Sequence, residues 1–344
     1  MDKNTLVNIL GKYTGVYELT NKDWSVVVSE YGGRIIGVFP KGQQNLLWIN
    51  PNLRKILEER DWNIGGARVW ISPEKNFFYR KPEVFDEWLC QRELDPGNYS
   101  VKDVSDGYIR LENTFSIYDF LNNSKLNGVL SREIIMEEKD DVLKLHVYEN
   151  MLTENYSGTL VNLWALVQVY PGSRGSGTVV IPVKENTEPL PYFGKIPPEY
   201  LKKKKDSISF RIDGLKVLKI AVRPEDLPKE GIAKIGYITT LENGSYIFLM
   251  LSTRYSPRNQ KECLDIPKYS KAGGKGCVQS YNSGPEGGQL RFGEIELQFI
   301  PAGIVGNGMV SRIDYDLVSY IGSKNAVIEK ATELLEIEHI ALFP

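Results

Sequence analysis

Alternation of apolar and polar positions with a period of two runs along most of the chain. Trp24–Val28 is rich in β-branched residues and runs into the turn Glu30-Tyr31-Gly32-Gly33. Arg34–Phe39 and Asn45–Ile49 read as the next two strands, separated by Pro40–Gly42. Tyr108–Tyr118, Leu130–Glu137, Val142–Asn150, Thr159–Tyr170, Thr178–Val183, Ser207–Ile212 and Leu215–Val222 continue the pattern. Lys234–Leu241 and Tyr246–Ser252 flank Glu242-Asn243-Gly244-Ser245, a hairpin signal because Asn-Gly tolerates positive φ. Gly276–Tyr281 and Gln289–Pro301 complete the set. Regularly spaced strands with Gly-rich turns predict a mainly β fold, a sandwich or barrel.

Helical periodicity is confined to three places. Thr5–Tyr13 is a short helix candidate, and Asn52–Asp61 follows Pro51, with Asn50 in a capping position. The clearest pattern starts at Ser323 and runs to about Glu336. Val327, Ala331, Leu334 and Leu335 share one face there, which predicts packing on the outside of the β body. Neither an internal repeat nor a composition break divides the chain. The expected organisation is one β body over 1–310 with a C-terminal helical extension over 311–344 packed on it. Pro182–Asp206 is the longest irregular stretch, and its end, Lys202–Lys205, reads as a solvated loop.

Composition narrows the chemistry. The 344 residues carry 42 Lys plus Arg against 44 Asp plus Glu, a net charge of −2 that gives no pull toward nucleic acid. Cys90, Cys263 and Cys277 form no CxxC pair, so neither a disulfide framework nor a thiolate zinc site is expected. With His146 and His339 alone, a site of several imidazoles is impossible. Acid–base work then falls on carboxylates, Lys, Tyr or one His. Met1–Gly11 has no continuous apolar region, and no stretch approaches the ~18 apolar residues of a membrane span. The expectation is a cytoplasmic protein with no membrane partner, no metal and no cofactor.

Three segments carry candidate chemistry. The first is Asn63-Ile64-Gly65-Gly66-Ala67-Arg68-Val69-Trp70-Ile71-Ser72-Pro73-Glu74. Paired glycines permit a sharp turn or a close backbone approach to a ligand. Arg68, Trp70 and Glu74 then offer hydrogen bonds, a stacking face and a carboxylate, a set that suits a sugar. In the second, alternation puts Lys144, His146 and Tyr148 on one face and Leu143, Leu145 and Val147 on the other. It likewise groups Asn162, Trp164, Leu166, Gln168 and Tyr170, either as a ligand surface or as satisfied core polar groups. The third places Cys277, Gln279 and Tyr281 on one face, followed by the alternating Glu294, Glu296 and Gln298. A strand with alternate carboxylates suits acid or base duty in a cleft, or simply a solvated face.

Other motifs fail. Gly273-Gly274-Lys275-Gly276 lacks P-loop spacing, and neither GxSxG nor HExxH occurs. Asp314 and Asp316 alternate without a second ligand cluster. Asn98, Asn122, Asn155 and Asn243 begin N-x-S sequons, which carry weight only in a secreted protein.

Glu30-Tyr31-Gly32-Gly33-Arg34-Ile35-Ile36-Gly37-Val38, followed by Asn45-Leu46-Leu47-Trp48, resembles the opening of galactose mutarotase-like proteins. Gly65-Gly66 with Trp70 and Pro73 is similar to a region of the hexose-6-phosphate mutarotase branch. The resemblance reaches about Gly303 and implies a galactose-mutarotase-like β-supersandwich with a carbohydrate site in a concave sheet face. It fits a divergent branch better than an enzyme branch. Family members use a His acid and a Glu base to open and close the sugar hemiacetal. Gln279 stands at the Glu position on the late strand, and Lys81–Leu94 contains no His. Trp164 or a neighbour stands where another family His lies, and Ile64 replaces the Arg before the paired glycines.

The resemblance therefore implies a carbohydrate-binding mutarotase-like protein acting on an aldose or sugar derivative, with epimerase-type chemistry through other groups. The alternatives are a non-catalytic sugar-binding or sensor protein, and a glycoside hydrolase or polysaccharide lyase on a sandwich fold. The candidate acid is His146, with Glu74 or Glu296 as base. The candidate substrate-binding residues are Arg68, Trp70, Trp164, Gln168, Gln279 and Tyr281. The expected partner is a small carbohydrate.

Overall fold

The computed structural model describes residues 1–154, 158, 160–285 and 290–344. The expected strand starts at Thr159 and Gln289 and the sequon at Asn155 lie outside the described residues. Two large antiparallel sheets form the body. The nine-stranded sheet runs, in spatial order, Val16–Thr20, Trp24–Ser29, Arg34–Pro40, Ala67–Ser72, Asn162–Val169, Gly293–Gln298, Val278–Asn282, Leu218–Val222 and Leu190–Pro191. Its centre joins segments far apart in sequence. Asn162–Val169 pairs with Ala67–Ser72 on one side and with Gly293–Gln298 on the other.

The eleven-stranded sheet is dominated by long hairpins. Ser124–Lys139 pairs with Tyr108–Asp119 and Val142–Glu154, and Gly308–Gly322 lies between Val142–Glu154 and Tyr246–Thr253. Val69, Ile71, Leu163, Val167, Ile295 and Leu297 of the smaller sheet belong to one core with Leu145, Val147, Leu249 and Leu317 of the larger. Phe299 against Tyr315, ring centroids 5.7 Å apart, marks the same inner side. Within this core Arg132 and Glu149 form a fully buried ion pair. Arg132 also donates to the carbonyls of Gly33 and Ala67, tying one sheet to the other.

The C-terminal helix spans Lys324–Leu335, with the Ser323 hydroxyl accepting from the Ala326 amide at 3.3 Å. Val327, Ala331 and Leu335 pack on Val180, Ile238, Phe248 and Met250, the outer face of the larger sheet. Residue 310, the expected boundary, falls within the strand Gly308–Gly322, so the chain after it continues as sheet before turning helical.

Other expectations shift for local reasons. Asn45–Ile49 is not a strand, because the Asn45 side chain bonds the backbone of Ile36, Val38 and Leu47 and turns the chain. The helix after Pro51 is Leu53–Glu59, and Asn50 serves the loop by donating to the Asn63 carbonyl. Lys202 and Lys203 lie on the short edge strand Leu201–Lys203 rather than in a loop, where exposed lysines discourage further strand pairing. Among the described residues no helix is long and apolar enough to cross a membrane.

Candidate functional site

Strand register explains how the outer face of the nine-stranded sheet becomes polar. Since Ile295, Leu297 and Phe299 point to the core, Glu294, Glu296 and Gln298 must point away from it. Cross-strand pairing extends that parity. Trp70 lies beside Trp164, which lies beside Gln298. Glu296 pairs with Leu166 and Gln279, and Glu294 with Gln168 and Tyr281; Tyr281 in turn pairs with Lys219.

Loops cover this face and leave a cavity of about 740 Å³. The segment around helix Leu53–Glu59 forms one wall, and the short helix Glu74–Phe77 with the hairpin Tyr79–Lys81/Asp86–Trp88 forms another. Four of the chain's six tryptophans line it: Trp62, Trp70, Trp88 and Trp164. Phe193, Tyr281 and Phe292 add further rings. Gly65 and Gly66, at φ of 107° and 78°, precede the strand Ala67–Ser72 that carries Arg68 and Trp70. A Cβ there would collide with the carbonyls of Trp48 and Ile35, so these glycines admit the protein's own backbone rather than a ligand.

The floor holds two buried ion pairs. Arg68 Nη2 donates to Glu294 Oε1 at 2.8 Å, with its guanidinium 4.1 Å from the Trp70 ring centroid and 5.1 Å from that of Trp62. Lys219 Nζ lies 2.9 Å from Glu296 Oε2 and 4.5 Å from the Trp164 ring centroid. The Trp164 indole donates to the same oxygen at 3.0 Å. Trp88 Nε1 donates to Glu74 Oε1 at 3.0 Å, and Trp70 Nε1 to Asp95 Oδ2 at 2.8 Å. Asp265 lies behind, accepting from the Glu74 amide and from Gln279 Nε2 at 2.9 Å.

Removing such ions from water costs several kcal/mol each, so a cavity that collects them is a candidate for chemistry. Burial pushes the Glu296 carboxyl up to about 7; Lys219 opposes this, and the Glu294 and Glu74 carboxylates add to it. Burial likewise raises Glu74, against Lys219 and with Asp265. For Lys219, burial favours the neutral amine, but Glu296, Glu74 and Asp265 outweigh it and keep the ammonium. The site thus places a buried carboxyl raised toward neutrality beside a lysine that its carboxylate neighbours keep as the ammonium. Among the described residues no group of three or more His, Cys, Asp or Glu is placed to hold a metal ion.

The model of a family of unknown function (DUF6786) matches residues 4–155. No curated protein matches the sequence. Solved structures do match. A candidate aldose 1-epimerase of Escherichia coli K12 superposes with a TM-score of 0.52 at 11% identity, covering 89% of this chain and 99% of its own. The Slr1438 protein of Synechocystis sp. PCC 6803 gives 0.51 at 10%, covering 90% and 96%. A galactose mutarotase-like protein of Lactobacillus casei gives 0.48 at 13%, covering 89% and 100%. The fold is galactose mutarotase-like. Identities this low speak to the fold alone.

On this mutarotase-like frame the expected residues divide. Arg68, Trp70, Glu74, Trp164 and Tyr281 line the cavity. Glu296 and Gln279 are fully buried directly beneath it, bound to Lys219 and Asp265 respectively. Gln168 is also fully buried and donates to Asn63 Oδ1 at 3.0 Å, positioning a cavity-wall residue rather than facing the space.

His146 lies elsewhere. It projects from the outer face of the eleven-stranded sheet, since Leu145 and Val147 take the core, with Nε2 3.0 Å from Glu137 and Nδ1 2.6 Å from Asp316. The structure does not bring it together with Glu74 or Glu296, which belong to the cavity side of the other sheet. Lys219, Asp265, Trp62 and Trp88 were missed. A single Lys inside the apolar strand Leu218–Val222 was a usable signal for the first. Trp88, on a three-residue strand, left no periodic trace.

Proposed function

We propose that the protein binds a carbohydrate, an aldose or sugar derivative, in the tryptophan-lined cavity and exchanges protons with its hemiacetal. The convergence of four tryptophans with Glu74, Glu294–Arg68 and Glu296–Lys219 on one cavity carries this reading. Indole faces match the C–H face of a pyranose, and the carboxylates and cations match its hydroxyls. Anomer exchange needs a base for the proton of the anomeric hydroxyl as the C1–O5 bond breaks, and an acid for O5. Rotation about C1–C2 and the reverse transfers then give the other anomer. Glu74 takes the base role, and Lys219, held by Glu296, the acid role. The three cysteines, an odd number without a CxxC pair, fit a cytoplasmic location.

One observation favours a second reading, sugar binding without turnover. Glu296 is fully buried, and one of its oxygens already accepts from both Trp164 and Lys219. Two-dimensional NMR exchange on equilibrating hexoses and pentoses separates the two. Exchange cross-peaks that strengthen with protein and vanish in Glu74→Gln support catalysis. Saturable binding with unchanged exchange supports the binder. Neither effect with any sugar ends both readings.

A further inference from the structure

The charges around the cavity do not cancel, and the remainder is negative. At the rim Lys55 pairs with Glu59 at 3.8 Å; on the floor Arg68 pairs with Glu294 at 2.8 Å and Lys219 with Glu296 at 2.9 Å. Every cation among the described lining residues thus already faces a carboxylate. Glu74 is different. Its Oε1 accepts from the neutral Trp88 indole at 3.0 Å, and neither of its oxygens has an ion pair among the described residues. Lys219 acts on it electrostatically, but that ammonium is held by Glu296. Asp265, a second carboxylate, touches the Glu74 backbone, and among the described residues its side chain is bonded by neutral donors, Gln279 and the Glu74 amide. Trp88 and Tyr79 supply ring faces on the same wall.

A carboxylate without a cation, beside aromatic faces, is complementary to an ammonium group, through a charge-assisted hydrogen bond and cation–π attraction. A phosphate brought to the same place would meet the Glu74 and Asp265 carboxylates, and the ammonium that acts on Glu74, Lys219, is already held by Glu296. Building on the carbohydrate reading, we propose that the preferred ligand is a cationic amino sugar, its ammonium held by Glu74 beneath Trp88, and that sugar phosphates are rejected.

The test is a binding panel followed by tryptophan fluorescence and calorimetry below about pH 7, where such an amino group is protonated. The panel holds glucosamine and galactosamine, their N-acetyl derivatives, the parent hexoses and the hexose 6-phosphates. The N-acetyl compounds keep the nitrogen and remove its charge. We expect the amino sugars to bind roughly tenfold more tightly than the N-acetyl and neutral sugars, with the phosphates weakest. In Glu74→Gln the ratio of amino to neutral affinity should fall to about one. If that variant fails to fold, the wild-type panel decides alone. Neutral sugars that bind as tightly as amino sugars, or phosphates that bind best, overturn this proposal and leave the carbohydrate reading standing. Silence across the whole panel removes both.

Discussion

Two sets of buried charge lie on opposite sides of the nine-stranded sheet, and their surroundings differ. On the core side, Arg132 bonds Glu149, the Tyr315 hydroxyl and the carbonyls of Gly33 and Ala67. All three guanidinium nitrogens are used, apolar residues of both sheets close around the pair, and Glu149 Oε2 is its one polar atom without a hydrogen-bond partner among the described residues. On the outer side, Arg68 bonds Glu294 through one nitrogen, while its Nε and Nη1 have no hydrogen-bond partner among the described residues. Glu296 Oε1 and Gln279 Oε1 are likewise unmatched. The same residue types thus act as a fastener in one place and as an incompletely satisfied floor under a cavity in the other. The use of every guanidinium donor by the protein's own groups separates the structural arginine from the prospective binding one.

The contrast gives graded predictions. The largest effect belongs to the fastener. Arg132→Ala leaves Glu149 buried without a partner and should cost about 3–5 kcal/mol in urea unfolding, with sugar affinity unchanged while the protein stays folded. A loss under about 1 kcal/mol would show that the pair does not tie the sheets. Next comes Trp88→Ala, which removes a half-exposed ring. Sugar affinity should fall roughly tenfold while stability moves by no more than about 1 kcal/mol. Equal affinity would take Trp88 out of the site.

A pH effect follows. The Glu296 carboxyl is raised from its ordinary value to about 7 in the folded protein, so the folded state holds its proton more tightly than the unfolded chain. Its contribution to stability is complete below the ordinary carboxylate range and is lost as pH rises through about 7. Glu296→Gln should flatten that slope in thermal unfolding followed against pH. Lys219→Met removes the cation that holds the carboxyl down, so any ligand-linked inflection near neutrality should move upward. A downward move would contradict the assignment. The smallest effect is expected at His146, half-exposed on the far sheet. His146→Ala should change stability by less than about 0.5 kcal/mol and leave sugar binding untouched.

These differences also mark what could be read from the sequence. Parity along strands was legible, because alternation is local: Trp164 with Gln168, Gln279 with Tyr281, and Glu294 with Glu296 each share a face as their spacing requires. What lies over a face is not local. His146 and Trp164 follow the same period-two rule, yet one faces outward from the larger sheet and the other a covered cavity. Only the pairing of Asn162–Val169 with strands near residues 70 and 295 decides that. Lys219 and Asp265 reach the site through late strands and loops whose position depends on the whole sheet order. The C-terminal helix, by contrast, needed only its cap and its apolar stripe.

The most direct test is a titration of the wild-type protein with a hexose and amino-sugar panel, read by tryptophan emission. Four of six tryptophans line the cavity, so occupation must perturb the signal. The account requires a saturable change that is weakened in Trp88→Ala and preserved in His146→Ala. A flat signal with every sugar, or a saturable one indifferent to Trp88, would contradict it.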